Sequence, residues 1–408
     1  MDSAAAQTSE RLLTRDLIIL IISGFFALTG FGSTLPLVPR YVEGELGGSK
    51  VAVGVALGIF SISAIVARPL VGRLGDERGR RFIIVGGTAL TAVTVAAHAL
   101  ATSLLLLYLV RLAMGVTQGA FFVGSATLVN DLAPVERRGE ATNYFSVAVY
   151  GGMALGPLLG ELVQRAYGFG AAFAAGGAAL AVSSLLALSL PDDRRKRVPI
   201  AAPSSTEPAV AVATMPPPGL IHRAAVMPGL ILMGGLVTFT ALNGFMPLYV
   251  EEFDLGSAGT VLLIYGLLVL AMRVIGSKLP DRFGTLRMST ISLVGQTAGM
   301  TVMGLWASRY GLYLGAAILA VGGSFLYPTL LTAAVYRVAE HERARATSTF
   351  TLAFELSAGL GGPLLGFAAA LFGIRAAFFG AALAALAALP FLLSWAARRP
   401  DALVPARA

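Results

Sequence analysis

An all-α membrane fold of twelve helices, arranged as two related six-helix halves, is the class this sequence predicts. Three observations carry it: apolar runs long enough to cross a bilayer, charges gathered in the gaps between them, and an internal repeat. Of the 408 residues, 56% are hydrophobic and only 13% charged, where soluble domains are roughly half apolar and a quarter charged. That composition leaves too little polar surface to cover a water-soluble core.

The apolar runs fall at 17–39, 51–74, 82–102, 104–126, 142–165, 169–190, 224–249, 257–279, 287–307, 311–334, 346–370 and 374–396. Each is near the ~20 residues that a helix needs to span the hydrocarbon core. They are continuous and rich in Leu, Ala and Gly, which excludes the alternating strands of a membrane barrel. The first run follows Arg11 and Arg15, but it is longer than a signal-peptide core and has no small-residue cleavage site after it, so it counts as a span. With no cysteine in the chain, structural disulfides and thiolate metal sites are excluded.

The net charge of +8 comes from residues in the gaps between spans, not from a basic face on a soluble domain, so nucleic acid is not an expected partner. With the N-terminus placed in the cytoplasm, 22 of the 30 Lys and Arg fall on the cytoplasmic side. Only Arg40, Lys50, Arg165, Arg309 and Arg375 fall in the opposite loops. By the positive-inside rule both termini are cytoplasmic, and the high Ala, Gly, Val and Arg content suggests a bacterial inner membrane.

Three segments follow: a first bundle over 1–190, a cytoplasmic linker over 191–222, and a second bundle over 223–408. The linker opens with Pro191-Asp-Asp-Arg-Arg-Lys-Arg197 and continues through Pro-, Ala- and Ser-rich sequence with little fixed structure. The bundles are copies. Arg68, Asp76 and Gly79 align with Arg273, Asp281 and Gly284, and Pro39-Arg-Tyr-Val-Glu43 aligns with Pro247-Leu-Tyr-Val-Glu251. Gly156-Pro-Leu-Leu-Gly160 aligns with Gly362-Pro-Leu-Leu-Gly366. A parallel duplication of six spans is one of the known transporter architectures.

On these features the chain resembles the major facilitator superfamily over essentially its whole length. The loop Gly72-Arg-Leu-Gly-Asp-Glu-Arg-Gly-Arg-Arg81 is similar to that superfamily's signature loop, and Ser277-Lys-Leu-Pro-Asp-Arg-Phe-Gly284 is a weaker copy. The resemblance implies a cytoplasmic latch. Gly72 would allow close helix approach, Gly79 would turn the chain, Asp76 would meet the start of the eleventh span, and Arg80 would pair with Asp131. Arg81 flanks the loop, and Asp281, Arg282 and Gly284 repeat its elements. Glu77 stands where the family usually has a basic residue. A plain topology-setting charge run is the alternative.

The fifth span carries Gly152, Gly156, Pro157 and Gly160, which resembles the motif of exporters that exchange substrate for protons, with Glu161 in place of its last glycine. Gly362, Pro363 and Gly366 repeat it. Family packing would set these stripes against the eighth and second spans, where the halves rock; glycine stripes also serve plain packing.

Charges inside the spans are few, and an intramembrane charge marks a functional site by default. Arg111, followed by Gly115, Gln118 and Gly119, resembles the family's second motif. Its readings are neighbour to a proton-transfer group, binder of an anionic group, or a structural arginine bonded to backbone carbonyls of the first span. Glu161 precedes Arg165 by one helical turn, which predicts an interfacial ion pair, with a part in proton coupling the other reading. Glu355 sits about 14 Å into the eleventh span at 1.5 Å per residue, and family packing brings it beside Arg68. Such a carboxyl either carries protons as access alternates or forms a permanent structural pair. His98 reads as a packed residue and not a metal ligand.

Family geometry lines a central cavity with Thr29, Ser33, Gln118, Phe121, Phe122, Thr238, Phe239, Asn243, Phe325 and Tyr327. That mixture suits moderately apolar organic molecules better than sugars. No nucleotide-binding loop or nucleophile elbow appears, so neither an enzyme nor a cofactor is expected. The expected function is proton-coupled efflux of amphipathic small molecules by a monomer in the lipid bilayer. A proton symporter importing a metabolite, a lysolipid flippase and a non-transporting membrane sensor are the alternatives.

Overall fold

The computed structural model describes residues 12–134, 137–191, 221–276, 279–336, 338–339, 342–400 and 403, with the side chains of Asp76, Asp281 and Ala344 excepted. Among the described residues there is no strand. The helices are α1 (Arg15–Arg40), α2 (Lys50–Arg78), α3 (Arg80–Ala97), α4 (Leu104–Leu132), α5 (Arg138–Ala187), α6 (Arg223–Glu252), α7 (Ala258–Ile275), α8 (Leu279–Leu305), α9 (Arg309–Gly323), α10 (Leu326–Val335), α11 (Arg343–Phe372) and α12 (Arg375–Arg398). Most of the predicted linker 191–222 lies outside the described residues.

Local chemistry sets where several helices begin. Thr14, Ser49, Ser103, Ser257 and Ser308 each accept a hydrogen bond from the backbone N–H three residues on, so α1, α2, α4, α7 and α9 start on hydroxyl caps.

Ten described helices are long and apolar enough to cross a membrane, with α9 and α10 forming one of them across a break at Ser324 and Phe325. One of the ten counts twice. At 50 residues α5 would be about 75 Å long if straight, but the chain turns back at Gly168, whose φ of 81° only glycine adopts cheaply. Both arms flank α1: Gly156 meets Thr29 and Ser33, while the Ser183 side chain hydrogen-bonds that of Ser23 at 2.9 Å. The predicted ninth span is α8, which is not among the ten; it breaks at Gly284 and buries Ser289, Ser292 and Gln296.

Successive helices alternate direction, giving a linker face, where α1 and α6 begin and α12 ends, and a far face opposite. The hydrophobic core differs between these faces. On the far face a single cluster runs through both halves, from Leu37, Val53 and Phe173 to Phe245, Leu262 and Phe378. Toward the linker face it divides into clusters confined to one half: in the first around Leu20, Met114 and Phe145 and, smaller, around Val71 and Ile83, and in the second around Leu232, Leu330 and Phe350. The halves are fused at one end and separate at the other.

Two packing expectations are corrected. A Cβ on Gly72 would meet nothing within 4 Å, so no close helix approach depends on it; Gly75, one turn on, packs against Ile83. The glycine stripes also choose different neighbours. Gly362 and Gly366 lie against α2 across the halves, a Cβ on Gly362 coming 2.7 Å from the Gly54 carbonyl. Gly152, Gly156 and Gly160 instead face α1 within their own half, against Phe25, Thr29 and Ser33. The α5 surface that meets α7 is formed by Ala154, Pro157 and Leu158. A small-residue stripe fixes how closely a helix can be approached, not which helix approaches it.

Candidate functional site

The two repeat-related arginines make different pairs. Arg68 of α2 donates from Nη2 to Glu355 Oε1 of α11 at 2.8 Å and from Nη1 to Thr351 Oγ1 at 3.4 Å. The side chains are 29% and 14% exposed, so this ion pair across the halves is neither sealed nor freely solvated. Arg273 of α7 is the second-half counterpart, and each arginine stands eleven residues before its turn glycine. In the register that aligns Arg68 with Arg273, Glu355 falls on Tyr150 of α5, and in the register of the α5 and α11 glycine stripes on its neighbour Val149. The Arg273 guanidinium sits over the Tyr150 ring, 4.2 Å from its centroid. One copy has an acid at this position and the other an aromatic face.

Arg111 is 4% exposed. Its Nε donates to the Ala56 carbonyl of α2 at 3.1 Å, and its guanidinium lies 4.8 Å from the Phe60 centroid. The carbonyl partner therefore comes from the second span and not the first, and none of these contacts reaches Glu355. His98 is fully buried, bonded at Nδ1 to the Thr94 carbonyl and stacked on Phe173.

A small cavity of about 50 Å³ lies in the second half among α6, α7, α8, α9 and α10. Thr238, Phe239 and Tyr327, expected along a central cavity between the halves, line this one within the second half. Thr238 Oγ1 donates to Gln296 Oε1 at 2.9 Å, and Phe239 packs toward Tyr265. Gln296 and Tyr265 were not foreseen: both are uncharged, and Gln296 sits in a helix with several other polar residues, so neither stands out as an intramembrane charge does.

The remaining predicted lining residues lie elsewhere. The Thr29 and Ser33 hydroxyls are bonded to the carbonyls of Phe25 and Gly30 in their own helix, with both residues packed on the α5 glycines. Phe121 is in the first-half core, Phe122 beside it is 40% exposed, and Gln118 is buried nearby on α4. Asn243 donates to the Phe239 carbonyl, and Phe325 packs against Gly276 at the end of α7.

At the far face Glu161 does more than the predicted local pair. It is 1% exposed and accepts from Arg165 at 2.6 Å. Arg40 lies 3.5 Å away, Ser257 donates at 3.0 Å, and the Gly259 backbone N–H donates at 2.5 Å. A first-half carboxylate thus caps the N-terminus of the second-half helix α7, where the helix dipole favours an anion. Arg40 also reaches Glu251 at 3.5 Å, and Lys50 pairs with Glu252 at 2.8 Å. The predicted pair with Arg165 is present, and the burial of Glu161 between the halves adds the contacts from Arg40, Ser257 and Gly259 to it.

The loop copies at the linker face both turn on a left-handed glycine, Gly79 with φ 90° and Gly284 with φ 74°. Arg80 Nε lies 3.6 Å from Asp131 Oδ2, as expected, and Arg81 follows at the start of α3. Arg282 lies over the Phe283 ring. The expected contacts of Asp76 and Asp281 fall on side chains outside the described set.

Known proteins share this architecture. The chain is similar to an uncharacterized MFS-type transporter of Salmonella typhimurium, 28% identical over 349 residues that cover 82% of this chain and 84% of the relative. A second, from Burkholderia pseudomallei, is 26% identical over 95% of this chain and 93% of its own length. Among solved structures the nucleoside transporter NupG superposes with a TM-score of 0.74 at 15% identity, covering 93% of this chain and 99% of that one. A POT family transporter in complex with 5-aminolevulinic acid gives 0.77 at 14% identity, covering 95% and 96%. The sequence profile described as Major Facilitator Superfamily matches residues 20–295 and 236–408, and this multi-pass transport protein belongs to that superfamily.

Proposed function

We propose that the protein is a proton-coupled exporter of amphipathic small molecules, working as a monomer by alternating access in a bacterial cytoplasmic membrane. The linker face is the cytoplasmic one, in keeping with the Lys and Arg concentrated there. The observation that carries the reading is the Arg68–Glu355 pair at 2.8 Å, which joins the halves and stays partly exposed. Protonation of Glu355 removes one side of that pair, so loading a proton weakens a contact between the halves. A proton moving through ~100 mV gains about 2.3 kcal/mol, and each pH unit adds about 1.36. Together these can sustain a substrate ratio of roughly several hundredfold. The aromatic, weakly polar cavity wall of Phe239, Tyr265 and Tyr327 favours amphipathic cargo.

The test is accumulation of amphipathic fluorescent dyes in cells expressing wild type or Glu355→Gln at matched levels, with and without a protonophore. Wild type is expected to lower accumulation, the protonophore to abolish that difference, and Glu355→Gln to behave like empty cells. Accumulation that falls equally with and without the protonophore would refute proton coupling. Uptake raised by expression would reverse the direction to symport.

A further inference from the structure

The seam between the third and fourth spans is filled differently in the two halves. In the register that aligns Arg68 with Arg273, Ile84, Gly87, Thr91 and Gly124 correspond to Ser289, Ser292, Gln296 and Thr329. The first-half seam closes on apolar contact. A Cβ on Gly124 would come 2.7 Å from the Ile84 side chain, and one on Gly87 would come 2.8 Å from that of Ala120. The Thr91 hydroxyl is bonded to the Gly87 carbonyl and to Thr117. In the second half the same places carry hydroxyls. Ser289 and Ser292 are fully buried on α8, Thr329 is 3% exposed on α10, and their oxygens have no hydrogen-bond partner among the described residues. Among those residues only one other buried hydroxyl, that of Ser125, shares this condition. The two serines and Gln296 stand at i, i+3 and i+7, on one face of α8. That face meets the α9–α10 span, where Gln296 packs against Gly322 and Gly323. By the repeat, Thr329 stands opposite Ser289 as Gly124 stands opposite Ile84.

We infer that this seam is a binding site for ordered water, which bridges Ser289, Ser292 and Thr329 and continues to Gln296 at the edge of the small cavity. Buried polar groups in folded proteins are satisfied, by ordered water where no protein group reaches them. Hydrocarbon offers no substitute. The cavity at the Gln296 end, about 50 Å³, has room for a few water molecules. Each needs roughly two to four polar partners, which the seam hydroxyls, Gln296 and Thr238 supply. The break of the α9–α10 span at Ser324 and Phe325 lies beside this end, and a broken helix frees backbone groups that ordered water satisfies. The same water accommodates α8, which is not among the ten apolar helices, inside the bundle. A dry seam would instead leave three hydroxyls stranded where the first half buries two glycines and an isoleucine. This site is independent of cargo and of proton coupling.

The experiment uses the full-length protein, labelled on serine and threonine, in lipid bilayers, and follows polarisation transfer from water protons to side chains by solid-state NMR. Ser289, Ser292 and Thr329, assigned through their sequential neighbours, are expected to receive polarisation several-fold faster than Ser183, which is equally buried but bonded to Ser23. A second readout is thermal unfolding of Ser289→Ala, Ser292→Ala and Thr329→Val. Each removes a partner of the water and should lower the melting temperature by about 1–3 °C. Removing a stranded hydroxyl from a dry seam would leave the melting temperature unchanged or raise it. Transfer no faster than at Ser183, or a triple variant at least as stable as wild type, overturns the proposal. The first readout is made on the wild-type chain, so it decides the matter even where a variant fails to fold.

Discussion

The far and linker ends of the interface between the halves are held in opposite ways. At the far end one hydrophobic cluster runs through both halves, and a buried carboxylate, Glu161, gathers Arg40, Arg165, Ser257 and the Gly259 N–H. Toward the linker end each half keeps its own core, and the Arg68–Glu355 pair bridges them at partial exposure. The far end is a dry closure, costly to open because separation strands a charge. The linker end is held by a partly exposed ion pair, which under the proposed mechanism protonation of Glu355 would weaken. Alternating access requires these two conditions to exchange, so disturbing either end should shift the balance measurably.

The largest effect is expected from Glu161→Ala. It leaves Arg40 without its buried partner and the start of α7 uncapped, a loss of roughly 3–5 kcal/mol of far-end closure. The natural chain has no cysteine, so a single Val261→Cys in the shared core reports that end alone. Its alkylation by an impermeant maleimide should speed up at least about tenfold in the Glu161→Ala background; an unchanged rate would show that the apolar core alone keeps the end shut.

A smaller effect is expected at the rim. Lys50 and Glu252 are 20% and 41% exposed, and such pairs contribute about 0–1 kcal/mol. Lys50→Ala should raise the same labelling rate only a few-fold, and the difference should vanish in molar salt. The smallest change is expected at Gly72, where an added Cβ meets open space. Gly72→Ala should leave the melting temperature within about a degree and transport at wild-type level. A marked loss would mean that Gly72 is needed in the opposite conformation, as its place in the signature loop suggests.

Much of this could be read from residue types and spacing. The all-helical membrane-crossing character, the duplication and the turning glycines Gly79 and Gly284 were legible because hydropathy and positive φ are local properties. The Arg68–Glu355 pair was legible because charges inside apolar spans are few, the helix rise gives their depth, and the family resemblance sets the second and eleventh spans side by side. Glu161 was legible only in part, since Arg165 lies one turn along its helix while Ser257, Gly259 and Arg40 arrive from elsewhere in the chain. The second-half cavity was not foreseen as such: Thr238, Phe239 and Tyr327 were placed along a central cavity, Tyr265 and Gln296 were not named, and Thr29 and Ser33 turned out to pack against glycines.

By itself the sequence determined that the chain crosses a membrane many times, that its halves are copies, and which few polar residues the apolar spans must accommodate. These follow from the cost of placing charge and bare backbone in hydrocarbon, which each segment meets on its own. Only the tertiary structure decided which helix each glycine stripe meets, that Glu161 closes the far end, and that Arg273 faces Tyr150 where Arg68 faces Glu355. Those outcomes depend on which surfaces meet when two nearly identical bundles pack, and a pairwise contact between distant segments has no signature in either segment alone.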